Sequence, residues 1–189
     1  MNVLYAKVVL YAYAHLDALA EQIDEIVGKK ALASSTDYSP AIRQCERIVD
    51  LTYQKCVIFA LKLCAERALE KFSDREKACL EYKYFRKNDK ERYADIDATS
   101  RAYFRLQVRL AEKFAERLEK AGFSDERFRD ECLSTDFFRE MLKRVKEREN
   151  LSRKNKTAKE KEQIKKLKSR IAQNAATGAP RETSAVKSA

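Results

Sequence analysis

The sequence is poor in the residues that make tight turns. Its 189 residues include only 3 glycines and 2 prolines, and tryptophan is absent. Strands are usually joined by turns that depend on glycine and proline. A β-sandwich, a β-barrel and a glycine-rich nucleotide-binding fold are therefore close to excluded. With 37% charged residues, the composition predicts an all-α protein.

The sequence also lacks the side-chain groupings that catalysis and metal binding require. His15 is the only histidine, and no two cysteines form a CxxC pair. No serine or threonine has a nearby His and Asp arrangement for nucleophilic catalysis, and no glycine-rich loop could hold a phosphate. We therefore predict that the protein is not an enzyme and has no catalytic residue, metal site, cofactor or small-molecule substrate.

The cysteines and the first 20 residues indicate a cytoplasmic location. All five cysteines are predicted to be free thiols in a reducing compartment: Cys45, Cys56, Cys64, Cys79 and Cys132. We interpret Cys56 and Cys64 as small apolar residues of the core. No apolar stretch reaches the roughly 20 residues of a membrane span. The start of the chain also lacks the basic cluster of a signal peptide, so we predict no contact with a membrane.

The net charge of +10 is confined to the C-terminal quarter of the chain. Residues 1–140 contain 25 basic and 25 acidic side chains, whereas residues 141–189 contain 15 basic and 5 acidic ones. A basic tail on a neutral body is typical of proteins that contact nucleic acid. The alternative is a solvated terminus without a partner.

Two long helices are predicted at the N-terminus. Apolar residues recur at three- and four-residue steps from Val3 to about Leu32, and again from Pro40 to about Lys71. Joined by a polar loop, they would form a helical hairpin over residues 1–72. The positions that carry this spacing in the second helix are Ile48, Leu51, Thr52, Cys56, Phe59, Leu63 and Leu69.

The rest of the chain divides into three predicted parts. Residues 73–122 read as helix, turn, short helix, turn and long helix, opened by the capping box Ser73–Glu76 and closed at Gly122. Residues 123–149 form short C-terminal helices, of which the first is capped by Ser124. Residues 150–189 form the basic tail. Its part up to residue 170 is an exposed helix or disordered, and residues 171–189 are expected to be disordered.

The long helix after residue 100 carries a row of basic side chains. They follow one another at four-residue steps and are expected to form one stripe opposite an apolar face that includes Leu110, Phe114 and Leu118. No acid occurs from Ala98 to Ala111. The members of the row are Arg101, Arg105, Arg109, Lys113 and Arg117.

This region resembles a known family of DNA-binding units. The run Leu80-Glu81-Tyr82-Lys83-Tyr84-Phe85, followed later by Ser100-Arg101-Ala102-Tyr103-Phe104-Arg105, is similar to the helix-turn-helix of sigma-factor region four. It is closer still to the ArpU-like regulators of low-GC Gram-positive bacteria and their phages. The resemblance covers about a quarter of the chain. The whole chain also resembles small cytoplasmic proteins of clostridia, a likeness that implies no activity.

The resemblance implies a transcriptional regulator that binds double-stranded DNA, with residues 100–120 as its recognition helix. The basic tail would add sequence-independent affinity. The candidate DNA-contacting residues are Ser100, Arg101, Arg105, Arg109 and Lys113, with Lys87 and Lys90 before the helix.

A second hypothesis follows from departures from that family. The stretch Tyr93–Thr99 lacks the usual glycine, and Asp95 and Asp97 would repel phosphate there. The unit could then be a scaffold that does not bind DNA. In that case the protein would be a helical adaptor or dimerisation module, with a homodimer, RNA polymerase or another protein as its partner.

Overall fold

The chain folds as a set of helices in the computed structural model, which describes residues 1–33, 41–85 and 101–176. No strand occurs in these three ranges, and the all-α prediction is confirmed. The chain divides into two compact units, Met1–Lys146 and Glu147–Ala189. The helices are α1 (Val3–Tyr13), α2 (Leu16–Ala33), α3 (Ala41–Glu70), α4 (Asp74–Leu80), α5 (Arg101–Lys120), α6 (Asp125–Arg127) and α7 (Asp136–Ala176). Single π-helical turns follow α4 at Glu81–Phe85 and α6 at Phe128–Cys132.

The predicted single helix from Val3 to Leu32 is wrong, because the chain bends by 70° between α1 and α2. The bend lies at Ala14 and His15, where the His15 N–H donates to the Ala12 carbonyl at 2.8 Å. Helix α1 packs on α5 in the centre of the first unit, whereas α2 packs along α3. A straight helix could not bury its two ends on these two surfaces.

Helices α2 and α3 form an antiparallel pair, the core of the predicted N-terminal hairpin. Lys55 pairs with Asp24 and Lys62 pairs with Asp17, each with an N–O distance of 2.6 Å. The lysine that lies later in α3 pairs with the aspartate that lies earlier in α2, which is the pattern expected for antiparallel helices. These four partly exposed charges flank the apolar contact and contribute little beyond it.

The residues of α3 that the helical spacing singles out do not form its core face. Thr52, Cys56, Phe59 and Leu63 are exposed, and Ile48, Leu51 and Leu69 are only half-buried. The buried residues of α3 are Val57, Ile58, Leu61, Cys64, Ala65 and Ala68. The helix has two apolar faces, and spacing alone cannot tell which of them meets the rest of the molecule. The prediction that Cys56 lies in the core is therefore wrong, whereas Cys64 is buried as predicted.

The predicted start of α4 and the predicted end of α5 are confirmed. The Ser73 hydroxyl accepts the Glu76 N–H, and the Glu76 carboxylate accepts the Ser73 N–H at 3.0 Å, which completes the capping box. Gly122 adopts a φ of 97° after α5, and the Phe123 N–H donates to the Leu118 carbonyl at 3.1 Å. Glycine is favoured there because that backbone conformation strains other residues.

Helix α7 runs further than its composition indicates. Its backbone remains helical through Ala176, which includes residues 171–176, where the sequence predicts disorder. Alanines at 172, 175 and 176 account for the difference, since alanine has the highest helix propensity. Residues 150–170 take the helical alternative, and Leu151 and Ile164 there are exposed. The remaining tail, 177–189, lies outside the described residues.

In the described ranges, no single helix is both long and apolar enough to cross a membrane.

Candidate nucleic-acid interface

Helix α5 is anchored in the first unit by its C-terminal half. Leu110, Phe114 and Leu118 are almost completely buried, and the helix contacts α1, α3 and α4. Buried Gln107 adds a polar anchor, because its Nε2 donates to the Cys79 carbonyl at 2.7 Å. The predicted apolar face is thus confirmed, with its first members Tyr103 and Leu106 half-buried.

The five basic residues of α5 do not form one stripe, contrary to the sequence prediction. Four residues of an α-helix turn through about 400°, so each step in the row moves about 40° around the axis. Over the four steps from Arg101 to Arg117 the row moves about 160°. It begins on the exposed side of α5 and ends on the flank that faces α4.

The first three members of the row are presented to solvent. Arg101, Arg105 and Arg109 are exposed, and none of them forms an ion pair within the described part of the chain. They span two turns of helix, about 12 Å at 1.5 Å per residue. Each guanidinium carries a permanent charge with several N–H donors, which suits it to bind phosphate oxygens or base edges.

Lys113 is directed to a protein carboxylate and not to solvent alone. Its Nζ lies 2.7 Å from Glu76 Oε1 and 5.4 Å from the centre of the Phe72 ring. The hydrogen bond from Lys113 lowers the pKa of the Glu76 carboxyl, and bonds from Ser73 act in the same direction. The charge of Lys113 is neutralised locally, so we remove it from the set of DNA-contacting candidates.

Arg117 is the most strongly anchored of the five. Its guanidinium carbon lies 4.0 Å above the centre of the Phe72 ring, a cation–π contact. Its Nη1 is buried without a hydrogen-bond partner among the described residues. Arg117 therefore belongs to the packing between α5 and the end of α3.

Two apolar side chains beside the exposed arginines were missed by the sequence reasoning. Phe104 is 60% exposed and Val108 is 51% exposed. They are four residues apart and lie on the flank of α5 next to Arg101 and Arg105. The only sequence signal for them is their helical spacing, and the same spacing was used to identify the buried face of α5. The candidate interface is therefore a row of three arginines bordered by two apolar side chains.

The remaining candidates lie elsewhere in the chain. Ser100, Lys87 and Lys90 fall outside the described residues.

Two other side chains have pKa values raised by burial. Tyr103 is half-buried, and its burial raises its pKa to about 12. The Cys132 thiol has its pKa raised to about 12 by burial as well. Both groups therefore stay protonated at neutral pH.

Within residues 1–33, 41–85 and 101–176, no three His, Cys, Asp or Glu side chains lie together in a way that could hold a metal ion. In comparisons with known proteins, no family model, no curated protein and no solved structure matches the chain.

Proposed function

We propose that the protein is a DNA-binding transcriptional regulator that inserts the N-terminal half of α5 into the major groove. The observation that carries this proposal is the division of the basic row. Arg101, Arg105 and Arg109 are exposed, whereas Lys113 and Arg117 are held against Glu76 and Phe72. A recognition helix needs such a division, since one end must be anchored while the other contacts DNA.

The position of each arginine along α5 gives it a separate role. Arg101 and Arg105 lie nearest the N-terminal end, which is the end of a recognition helix that reads base edges. Arg109 lies one turn further along and is exposed, which supports a phosphate contact for it. Base contacts specify the sequence, whereas phosphate contacts add affinity to every sequence alike.

The test is a binding titration on a duplex selected by the protein from a random pool. Arg101→Ala and Arg105→Ala should each lose about 1–3 kcal/mol on the selected duplex and relax its sequence preference. Arg109→Ala should weaken binding to all duplexes alike and reduce the salt slope by about one. The matched control is Arg129→Ala, which removes an exposed arginine outside α5 and should bind like the parent.

Arg117→Ala provides a control within the same helix. It should leave DNA affinity unchanged, because its guanidinium is already packed on Phe72. If Arg101→Ala, Arg105→Ala and Arg109→Ala all bind like the parent while remaining folded, α5 does not contact DNA and the proposal is refuted.

The basic tail is proposed to add affinity without sequence preference. It has 11 basic residues between Arg153 and Lys187, and each phosphate contact lowers the salt slope by about 0.9. Removal of residues 149–189 should weaken binding to random duplex and make it less dependent on salt. Equal affinity and an equal salt slope in the truncated protein would show that the tail is inert.

A helical protein-interaction module is the second candidate function. Exposed Phe104 and Val108 favour it, because apolar side chains on an otherwise charged helix are typical of protein interfaces. In this case the parent would not retard random or selected duplex at moderate salt. Phe104→Ala would then abolish capture of a protein partner, and Arg129→Ala would not.

A further inference from the structure

Helix α3 has an exposed apolar row with the spacing of a coiled coil. Seven residues follow one another at alternating steps of three and four residues over three heptads. They occupy a and d positions in turn, beginning with an a position. We call this row the outer seam: Ile42, Cys45, Val49, Thr52, Cys56, Phe59 and Leu63. All seven residues are exposed.

The outer seam lies on the opposite side of α3 from the core. At 100° per residue, its average direction is about 150° from that of the buried residues, which include Val57, Ile58 and Leu61. Ile42 is 72% exposed and Val49 is 65% exposed. A helix that is apolar on two opposite faces is expected to be covered on both. The 3–4 spacing indicates that the cover is another helix.

We infer that the outer seam binds a second copy of this chain, with the two α3 helices antiparallel. In an antiparallel pair each a residue lies opposite a d residue of the other helix. The register with most overlap sets Cys45 against Leu63, Val49 against Phe59 and Thr52 against Cys56 of the second copy. The two outer layers thus match a smaller side chain with a larger one, which is how facing layers interdigitate. In a parallel pair, Phe59 and Leu63 would each face themselves.

One charge pair beside the outer seam favours the same orientation. In the antiparallel register, Glu46 and Arg67 of the second copy both occupy e positions and lie about 8 Å apart along the axis, at 1.5 Å per residue, and the two-fold axis repeats this opposite-charge contact. Lys55 would face its own copy, but each Lys55 is paired with Asp24 at 2.6 Å. Tyr53, 58% exposed beside the centre of the seam, would face its own copy across the two-fold axis.

The first experiment measures the mass of the full chain by sedimentation equilibrium at micromolar concentration. The parent should have twice the chain mass of 21.9 kDa. The double variant Val49→Glu, Phe59→Glu should have the single-chain mass while keeping its helical circular dichroism. The matched control is Leu32→Glu, which changes a 78% exposed apolar residue on the outer side of α2 and should remain a dimer. A monomeric parent, or a dimeric seam variant, would overturn the inference.

The two exposed cysteines test the orientation, because Cys64, Cys79 and Cys132 are buried. Antiparallel pairing places the two Cys56 residues about 6 Å apart along the helix axis and the two Cys45 residues about 27 Å apart, at 1.5 Å per residue. A short bismaleimide should therefore cross-link the Cys45→Ser variant and fail to cross-link Cys56→Ser. Cross-linking of both variants would indicate a parallel pair, and cross-linking of neither would exclude this interface. Neither readout depends on DNA, so failure of the proposed function would leave this result intact.

Discussion

The two halves of α5 share one row of basic residues and have opposite surroundings. From Arg101 to Arg109 the basic side chains are exposed. From Leu110 to Leu118 the apolar side chains are buried, and the basic ones are held by Glu76 and Phe72. The difference arises from the 40° by which each four-residue step overshoots a full turn. An even row of basic residues is thus divided into a presented part and an anchoring part.

This division shows why basic residues at regular spacing are weak evidence for a binding surface. Lys113 and Arg117 fit the row as well as Arg101 does. The twist of α5 nevertheless places Lys113 beside Glu76 of α4 and Arg117 on the Phe72 ring at the end of α3. Their contacts stabilise the packing of the helix that presents the other three. A binding assay alone would not separate the two roles, but stability and binding measured together would.

The largest expected effect sharpens the comparison between the two halves. Phe114→Ala should lower the free energy of unfolding by about 3–5 kcal/mol, because it removes a fully buried ring and leaves a cavity. Phe104→Ala, the matched change on the exposed half of α5, should alter it by no more than about 0.5 kcal/mol. Chemical denaturation followed by circular dichroism measures both. Equal losses in the two variants would contradict the division of α5.

Arg117→Ala should have an intermediate effect. Loss of the guanidinium from the Phe72 ring is expected to lower the free energy of unfolding by about 1–2 kcal/mol, toward the upper range for partly desolvated cation–π contacts. The control is Lys120→Ala, which changes an exposed basic residue in the last turn of α5 and should be close to neutral. An Arg117→Ala variant as stable as the parent would mean that the contact of Arg117 with Phe72 does not help to anchor α5.

The sequence was sufficient wherever a local signal determined the structure. The capping box at Ser73, the left-handed Gly122 and the apolar face through Phe114 were each predicted from neighbouring residues. Their geometry depends on short-range hydrogen bonds and on one helical period, which the sequence contains directly.

Features set by tertiary packing could not be predicted in this way. The bend at Ala14 and His15 has no glycine or proline to mark it, and exists because α1 and α2 pack on different partners. Spacing does not distinguish the core side of α3 from its exposed side, since both carry apolar residues at helical spacing. Likewise, the positions of Lys113 and Arg117 depend on Glu76 and Phe72, which are about 40 residues away in the chain.

The smallest expected effect concerns the ion pair that removes Lys113 from the presented row. Glu76→Gln keeps a hydrogen-bonding side chain in the capping box but removes the charge facing Lys113. At pH 7 the variant should be less stable than the parent by no more than about 1 kcal/mol. The pKa of the Glu76 carboxyl is lower in the folded protein than in the unfolded chain, chiefly through the hydrogen bond from Lys113. Its ionised form therefore stabilises the fold above the unfolded pKa, and that stabilisation is lost as the pH falls through the folded pKa.

The difference in unfolding free energy between the parent and Glu76→Gln should thus close as the pH is lowered from 7 to below about 4. The control is Glu116→Gln, which removes a carboxylate on the exposed side of α5. Denaturant titrations across this range give both values. If the difference in unfolding free energy for Glu76→Gln stays constant as the pH is lowered, the carboxylate charge does not hold Lys113. Lys113 would then be a candidate for phosphate binding again.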